Sequence, residues 1–120
     1  INKRYKGNTK LIEALASSFG LHAYFIWQPV PTYGYDDTYH LFKGGGYERH
    51  ETSGGGYLVL RKEFLKGQLG SNFIWCAEIQ RGLKEPLYVD LVHYTAEFSE
   101  LVASCISENI ALNVLASDAS

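Results

Sequence analysis

The feature that most limits what this chain can fold into is the run Leu21 to Gln28. It is almost continuously apolar and aromatic, and Pro29 and Pro31 close it. It follows a stretch, Lys3 to Phe19, in which Leu11, Ile12, Leu15, Ala16 and Phe19 recur at helical spacing. Gly20 then supplies a helix stop. A strand that enters so soon after a helix, with no polar alternation, suits a parallel strand covered on both faces. The prolines end it because neither can donate to a sheet ladder. A second short strand reads at Phe73 to Ala77, after the turn Gly70-Ser71-Asn72. Between the two lies a helix, Tyr57 to Lys66, with Tyr57, Leu60, Phe64 and Leu65 on its inner side and Gly67 after it. A last helix follows Thr95, a good N-cap, with Glu97 at its positive end and Phe98, Leu101, Val102, Cys105 and Ile106 as its buried stripe. The tail from Asn113 to Ser120 has little to hold it and is expected to fray. The class is therefore α/β, with a short parallel sheet flanked by helices in one domain spanning 1–120. A buried-type strand such as Ala23 to Trp27 with an open edge invites association, so the chain is expected to pair with itself or with a second polypeptide.

Composition narrows the function classes. The 120 residues carry a net charge of −2, and 20% are charged, so no basic stripe marks a nucleic-acid binder. No apolar run approaches the roughly 20 residues of a membrane helix. The sequence fixes no compartment. Cys76 falls in an apolar strand and Cys105 on a buried helix face, both ordinary places for inert core thiols, and neither a disulfide nor a metal site is expected from them. No cofactor is indicated. The unusual component is aromatic: nine Tyr, six Phe and two Trp. Some of these rings are expected to line a cleft.

Residues 29–56 lack periodicity and hold Tyr33, Tyr35, Asp36, Asp37, Tyr39, His40, Phe42, Tyr47, His50 and two Gly-Gly-Gly runs. The segment leaves the C-terminal end of a parallel strand, where open α/β sheets place their ligand crevice. Two readings stand side by side: a flexible cap with aromatic faces for an acyl or sugar group, and a mobile surface loop. The acidic and His side chains here are of metal-ligating type, but the neighbouring glycines argue against a rigid site, so they read as solvated.

The chemistry concentrates in Pro86-Leu87-Tyr88-Val89-Asp90-Leu91-Val92-His93-Tyr94-Thr95. It places a carboxylate and an imidazole three residues apart, between a β-type run and an amphipathic helix. Held on one turn, Asp90 can accept the Nδ1 proton of His93 and leave Nε2 outward as a general base. Taken alone, such a spacing also arises as a surface ion pair.

The block Tyr88 to Thr95 resembles the last conserved block of the SGNH/GDSL hydrolases, serine esterases of flavodoxin-like fold. Phe25-Ile26-Trp27-Gln28-Pro29-Val30-Pro31-Thr32-Tyr33 resembles that family's strand ending in Gln-Pro, and Trp75-Cys76-Ala77-Glu78-Ile79-Gln80 resembles the segment before its final block. The resemblance implies a partial three-layer α/β/α fold, Asp90 as orienting acid and His93 as base, with Gln28 and Tyr33 near the substrate. Gln28 is equally suited to satisfying local backbone groups. The implied substrates are short acyl esters or acetylated sugars. The family's Gly-Asp-Ser nucleophile block and its Gly and Asn oxyanion blocks do not occur, and no Gly-x-Ser-x-Gly elbow replaces them. Ser53 before Gly54-Gly55-Gly56 is the nearest imitation. The chain thus reads as the C-terminal half of such an enzyme, with its serine supplied from a separate N-terminal half or, less simply, across a self-association interface. The rival reading is a non-catalytic module of the same fold that binds or assembles.

Overall fold

The computed structural model describes residues 2–119. It consists of three α-helices and one short two-stranded parallel sheet: α1 (Asn2–Ser18), β1 (Phe25–Trp27), α2 (Ser53–Leu65), β2 (Phe73–Trp75) and α3 (Ala96–Asp118). Two single-turn 3-10 segments, Asp37–Tyr39 and Glu48–His50, lie between β1 and α2. The strands pair Phe25 with Phe73, Ile26 with Ile74 and Trp27 with Trp75. Their ladder is shorter than the apolar run Leu21 to Gln28 because β2 offers only three partner residues.

Alternation along a strand sends Trp27, Phe73 and Trp75 to one face and Ile26 and Ile74 to the other. On the first face Tyr5 of α1 meets Trp27 and Phe73 edge-on. Tyr57 and Phe64 of α2 pack on Trp27 and Trp75 there, and Lys6 pairs with Glu63 across the two helices. The second face continues into Cys76, which is joined to Cys105 of α3 by a disulfide. This corrects the expectation of two inert thiols. Cys76 is buried as expected and Cys105 is half-buried, but the residue just after β2 and the middle of α3 lie side by side, with their Cα atoms 6.1 Å apart, inside bridging range.

Packing forms two clusters. Tyr33, Tyr57 and Ala77 form one against Trp27, Val30 and Trp75. Leu87, Tyr88, Phe98 and Val102 form the other, with Tyr35, Tyr94 and Ile106 against it. Thr95 caps α3, its hydroxyl accepting from the Phe98 amide.

Several expectations are revised. The apolar stripe of α1 does not turn inward: Leu11, Ile12, Leu15 and Phe19 are exposed, Phe19 at 76%. A 17-residue helix is roughly 25 Å long, and two strands about 5 Å apart are too narrow to cover it. Leu65 and Leu101 are exposed for the same lack of a covering layer. Helix α2 begins at Ser53, so the second glycine run lies inside a helix instead of a loop. Gly54 is needed there, because a Cβ would strike the Thr32 carbonyl oxygen. The tail expected to fray is helical to Asp118, and Ser120 lies outside the described residues. The rest of the 29–56 segment is anchored by buried Tyr33, His40 and Tyr47, while Leu41 and Phe42 between them are exposed. His40, expected to be solvated, is a core residue. No helix among the described residues is long and apolar enough to cross a membrane.

Candidate functional site

The Asp-x-x-His stretch forms a small closed loop. Tyr88 and Tyr94 make an antiparallel bridge. The Val89 amide donates to the His93 carbonyl at 2.8 Å, and the Thr95 amide donates to Leu87 at 2.9 Å. Inside the loop, Asp90 Oδ1 accepts from the amides of Val92 and His93, each at 2.8 Å. This is the local turn that a short carboxylate side chain forms with the backbone two and three residues on. It leaves Oδ2 facing the imidazole, and Oδ2 lies 2.6 Å from His93 Nδ1. A carboxylate can only accept, so Nδ1 carries a proton, and in the neutral ring the lone pair is then on Nε2. The Val92 amide, then the His93 amide and ring, hold the Asp90 carboxyl down at about 2.

The pair is on the surface. The His93 side chain is 76% exposed, and Nε2 has no partner among the described residues. No serine hydroxyl among them hydrogen-bonds to His93. Ser53 is the first residue of α2.

What fixes the loop to the sheet is a set of buried side-chain bonds. The Tyr94 hydroxyl donates to the Pro29 carbonyl at 2.6 Å. Pro29 follows the C-terminal end of β1, so the pair sits at the edge where parallel sheets place their chemistry. Beneath the loop the Tyr88 hydroxyl donates to Gln80 Oε1 at 2.6 Å. Gln80 is fully buried, and its Nε2 donates to the carbonyls of Val30 and Tyr33. Burial pushes the Tyr88 hydroxyl upward and raises that of Tyr94 to about 12, so both stay protonated donors. Prolines leave a segment short of donors, and here Tyr57, Tyr94 and Gln80 supply bonds to the carbonyls of Gln28, Pro29, Val30 and Tyr33.

Gln28 and Tyr33 take different places from each other. Gln28 is exposed at the end of β1, and its carbonyl accepts from Tyr57. Tyr33 is buried, with its hydroxyl on Glu78 Oε1 at 3.1 Å. Glu78 also receives Arg61 at 2.7 Å and Arg81 at 2.8 Å. Partial burial pulls the Glu78 carboxyl up, but the hydrogen bonds from Arg61 and Tyr33 and the two guanidinium charges outweigh it and hold the carboxyl down. Neither Gln28 nor Tyr33 hydrogen-bonds to Asp90 or His93.

Beside the loop is a cavity of about 510 Å³ between Leu91 and the segment that joins β1 to α2, lined by Phe42, Lys43, Gly44 to Gly46, Glu48 and Glu51. A second, of about 630 Å³, lies at the opposite end of the strands, between α1, Gly20 to Tyr24 and the end of α3. The residues that sequence reasoning missed are His40, Gln80, Tyr88 and Tyr94. Neither Gln80, which stands between Glu78 and Arg81 in a mixed polar stretch, nor His40 gave a local signal.

The site and fold together define a small α/β domain with a preorganised, exposed Asp-His pair at the C-terminal edge of a parallel sheet. No protein-family model, no curated protein and no solved structure matches the chain.

Proposed function

We propose that this chain carries the acid and base of an SGNH/GDSL-type ester hydrolase, in a partial flavodoxin-like three-layer domain, and that a second polypeptide segment brings the serine and the oxyanion donors. The observation that supports the reading is the 2.6 Å contact between Asp90 Oδ2 and His93 Nδ1 with Nε2 left unpaired on an accessible loop. In that scheme a serine hydroxyl attacks the ester carbonyl as His93 Nε2 removes its proton. Asp90 stabilises the imidazolium, and His93 returns the proton to the leaving alcohol. Water then repeats the sequence on the acyl-serine. The cavity beside Leu91 has the size for a small acyl ester or an acetylated sugar. Alone the chain should be nearly inactive, since losing a triad member costs several orders of magnitude in rate.

The partner, a separate N-terminal half or a second copy, would cover the exposed side chains of Leu11, Ile12, Leu15 and Phe19 on α1. A compact, stable monomer in dilute-solution sedimentation would remove this part of the proposal. The same exposed face favours a second reading, a non-catalytic assembly module in which Asp90 and His93 only hold a loop.

The two separate on reconstitution. Co-folding this chain with a Gly-Asp-Ser-bearing N-terminal half of an SGNH hydrolase should give hydrolysis of a short-chain activated ester that disappears with His93→Ala. A complex that forms but shows no His93-dependent hydrolysis would reject the enzyme reading.

A further inference from the structure

His40 belongs to the segment between β1 and α2, fifty-one residues from Leu91 in sequence, yet it is a buried polar residue of the core. Both of its ring nitrogens are used. The Phe42 amide donates to Nδ1 at 3.2 Å, and Nε2 lies 3.3 Å from the Leu91 carbonyl oxygen. An amide can only donate and a carbonyl can only accept, so the ring must carry its proton on Nε2. The ring stacks on Tyr88 at 5.3 Å and 15°, with Tyr47 edge-on at 5.2 Å. These faces leave it one orientation.

The Leu91 carbonyl and the Val92 amide are two ends of one planar peptide unit. The amide end donates to Asp90 Oδ1, and the carbonyl end accepts from His40. Two side chains from distant parts of the sequence therefore grip the same peptide from opposite sides. Its orientation decides whether the Val92 amide can reach Asp90 Oδ1, and that bond helps aim Oδ2 at His93. Phe42 and Leu91 also form walls of the adjoining cavity, so the same imidazole ties that cavity to the pair.

We propose that His40 is the positioning residue of the Asp90–His93 pair, acting through the Leu91–Val92 peptide. Its importance for turnover rests on the ester-hydrolase reading; the positioning itself is measurable without any turnover. Long-range proton–nitrogen correlation on the unaltered chain should find the His40 proton on Nε2 and the His93 proton on Nδ1. His40→Gln keeps a donor near the Nε2 position, whereas His40→Asn keeps only the acceptor near Nδ1 and is too short to reach Leu91. A net hydrogen bond corresponds to roughly a three- to tenfold population change. Val92 amide exchange should therefore rise by about that factor in His40→Asn, with the His93 Nδ1 proton resonance moving, and should stay within about twofold in His40→Gln. A His40 proton on Nδ1 in the unaltered chain would overturn the proposal, even if neither variant folds. So would a folded His40→Asn protein with Val92 exchange and the His93 resonance unchanged. An inactive reconstituted complex, by contrast, would count against the enzyme reading and leave the His40 measurement as it stood.

Discussion

Reducing the Cys76–Cys105 bond should destabilise this domain by an amount its topology sets. The bridge spans a sequence separation of 29 residues. The chain-entropy relation for closing a loop of that length gives about 3–4 kcal/mol at 25 °C. At roughly 2.1 cal/mol/K of unfolding entropy per residue, a 120-residue chain should lose ~10–15 °C in melting temperature. The loss matters more than usual here. The sheet has only two strands, and beyond Phe98 and Val102 the outer turns of α3 expose Leu112, Val114 and Leu115. The bridge is thus the covalent tie between β2 and the middle of α3. The assay compares urea unfolding of the oxidised and reduced forms of the unaltered chain, which changes no side-chain volume, with Cys105→Ser as a third sample. Thiol titration of the folded oxidised chain should find none free, and two after reduction. Superimposed unfolding curves for oxidised and reduced protein would refute the reasoning, because the constraint on the unfolded chain would then contribute nothing.

Three further outcomes follow from the geometry. The Asp90 carboxyl, held at about 2 by two amides and His93, lies below the ordinary unfolded value of about 3.9. Its contribution to stability is present above about pH 4 and is lost as pH falls toward 2. Carboxyl carbon NMR should give a midpoint near 2, and a midpoint near 3.9 would contradict the loop hydrogen bonding. Gln80→Leu leaves the Val30 and Tyr33 carbonyls and the Tyr88 hydroxyl without their buried partner, and should cost about 3 kcal/mol or more in denaturant unfolding; a loss under 1 kcal/mol would contradict that. Gly54→Ala drives a methyl group into the Thr32 carbonyl and should destabilise by about 1–3 kcal/mol, whereas a gain in stability, the usual outcome for Gly→Ala in a free helix, would show that the contact is not close.

Much of the architecture could be read from local signals. The periodicity of Lys3 to Phe19, the prolines after Gln28 and the Thr95 cap each reflect physics within a few residues, and each marks an element end to within a short distance. The Asp90–His93 contact was legible for the same reason, since both partners share one turn. What was not legible depends on pairs distant in sequence. The bond between Cys76 and Cys105 exists because the residue after β2 comes up against the middle of α3, 29 residues on, and neither residue's neighbours announce it. His40 looked like one polar side chain among many because its partners are Phe42, Leu91 and Tyr88, two of them from the far end of the chain. Gln80 and Tyr94 took on their roles because two prolines left nearby carbonyls needing donors. The apolar face of α1 was recognised as apolar but assigned to a core that two strands are too narrow to provide.

The most direct test of the central reading is mass spectrometry of the reconstituted complex after brief exposure to an activated acetate ester. The account predicts an acetyl group on the serine of the complementary half, formed with this chain and absent when it carries His93→Ala. Acetylation at the same rate with His93→Ala, or none in a complex that has formed, would contradict the claim that Asp90 and His93 work as an acid–base pair.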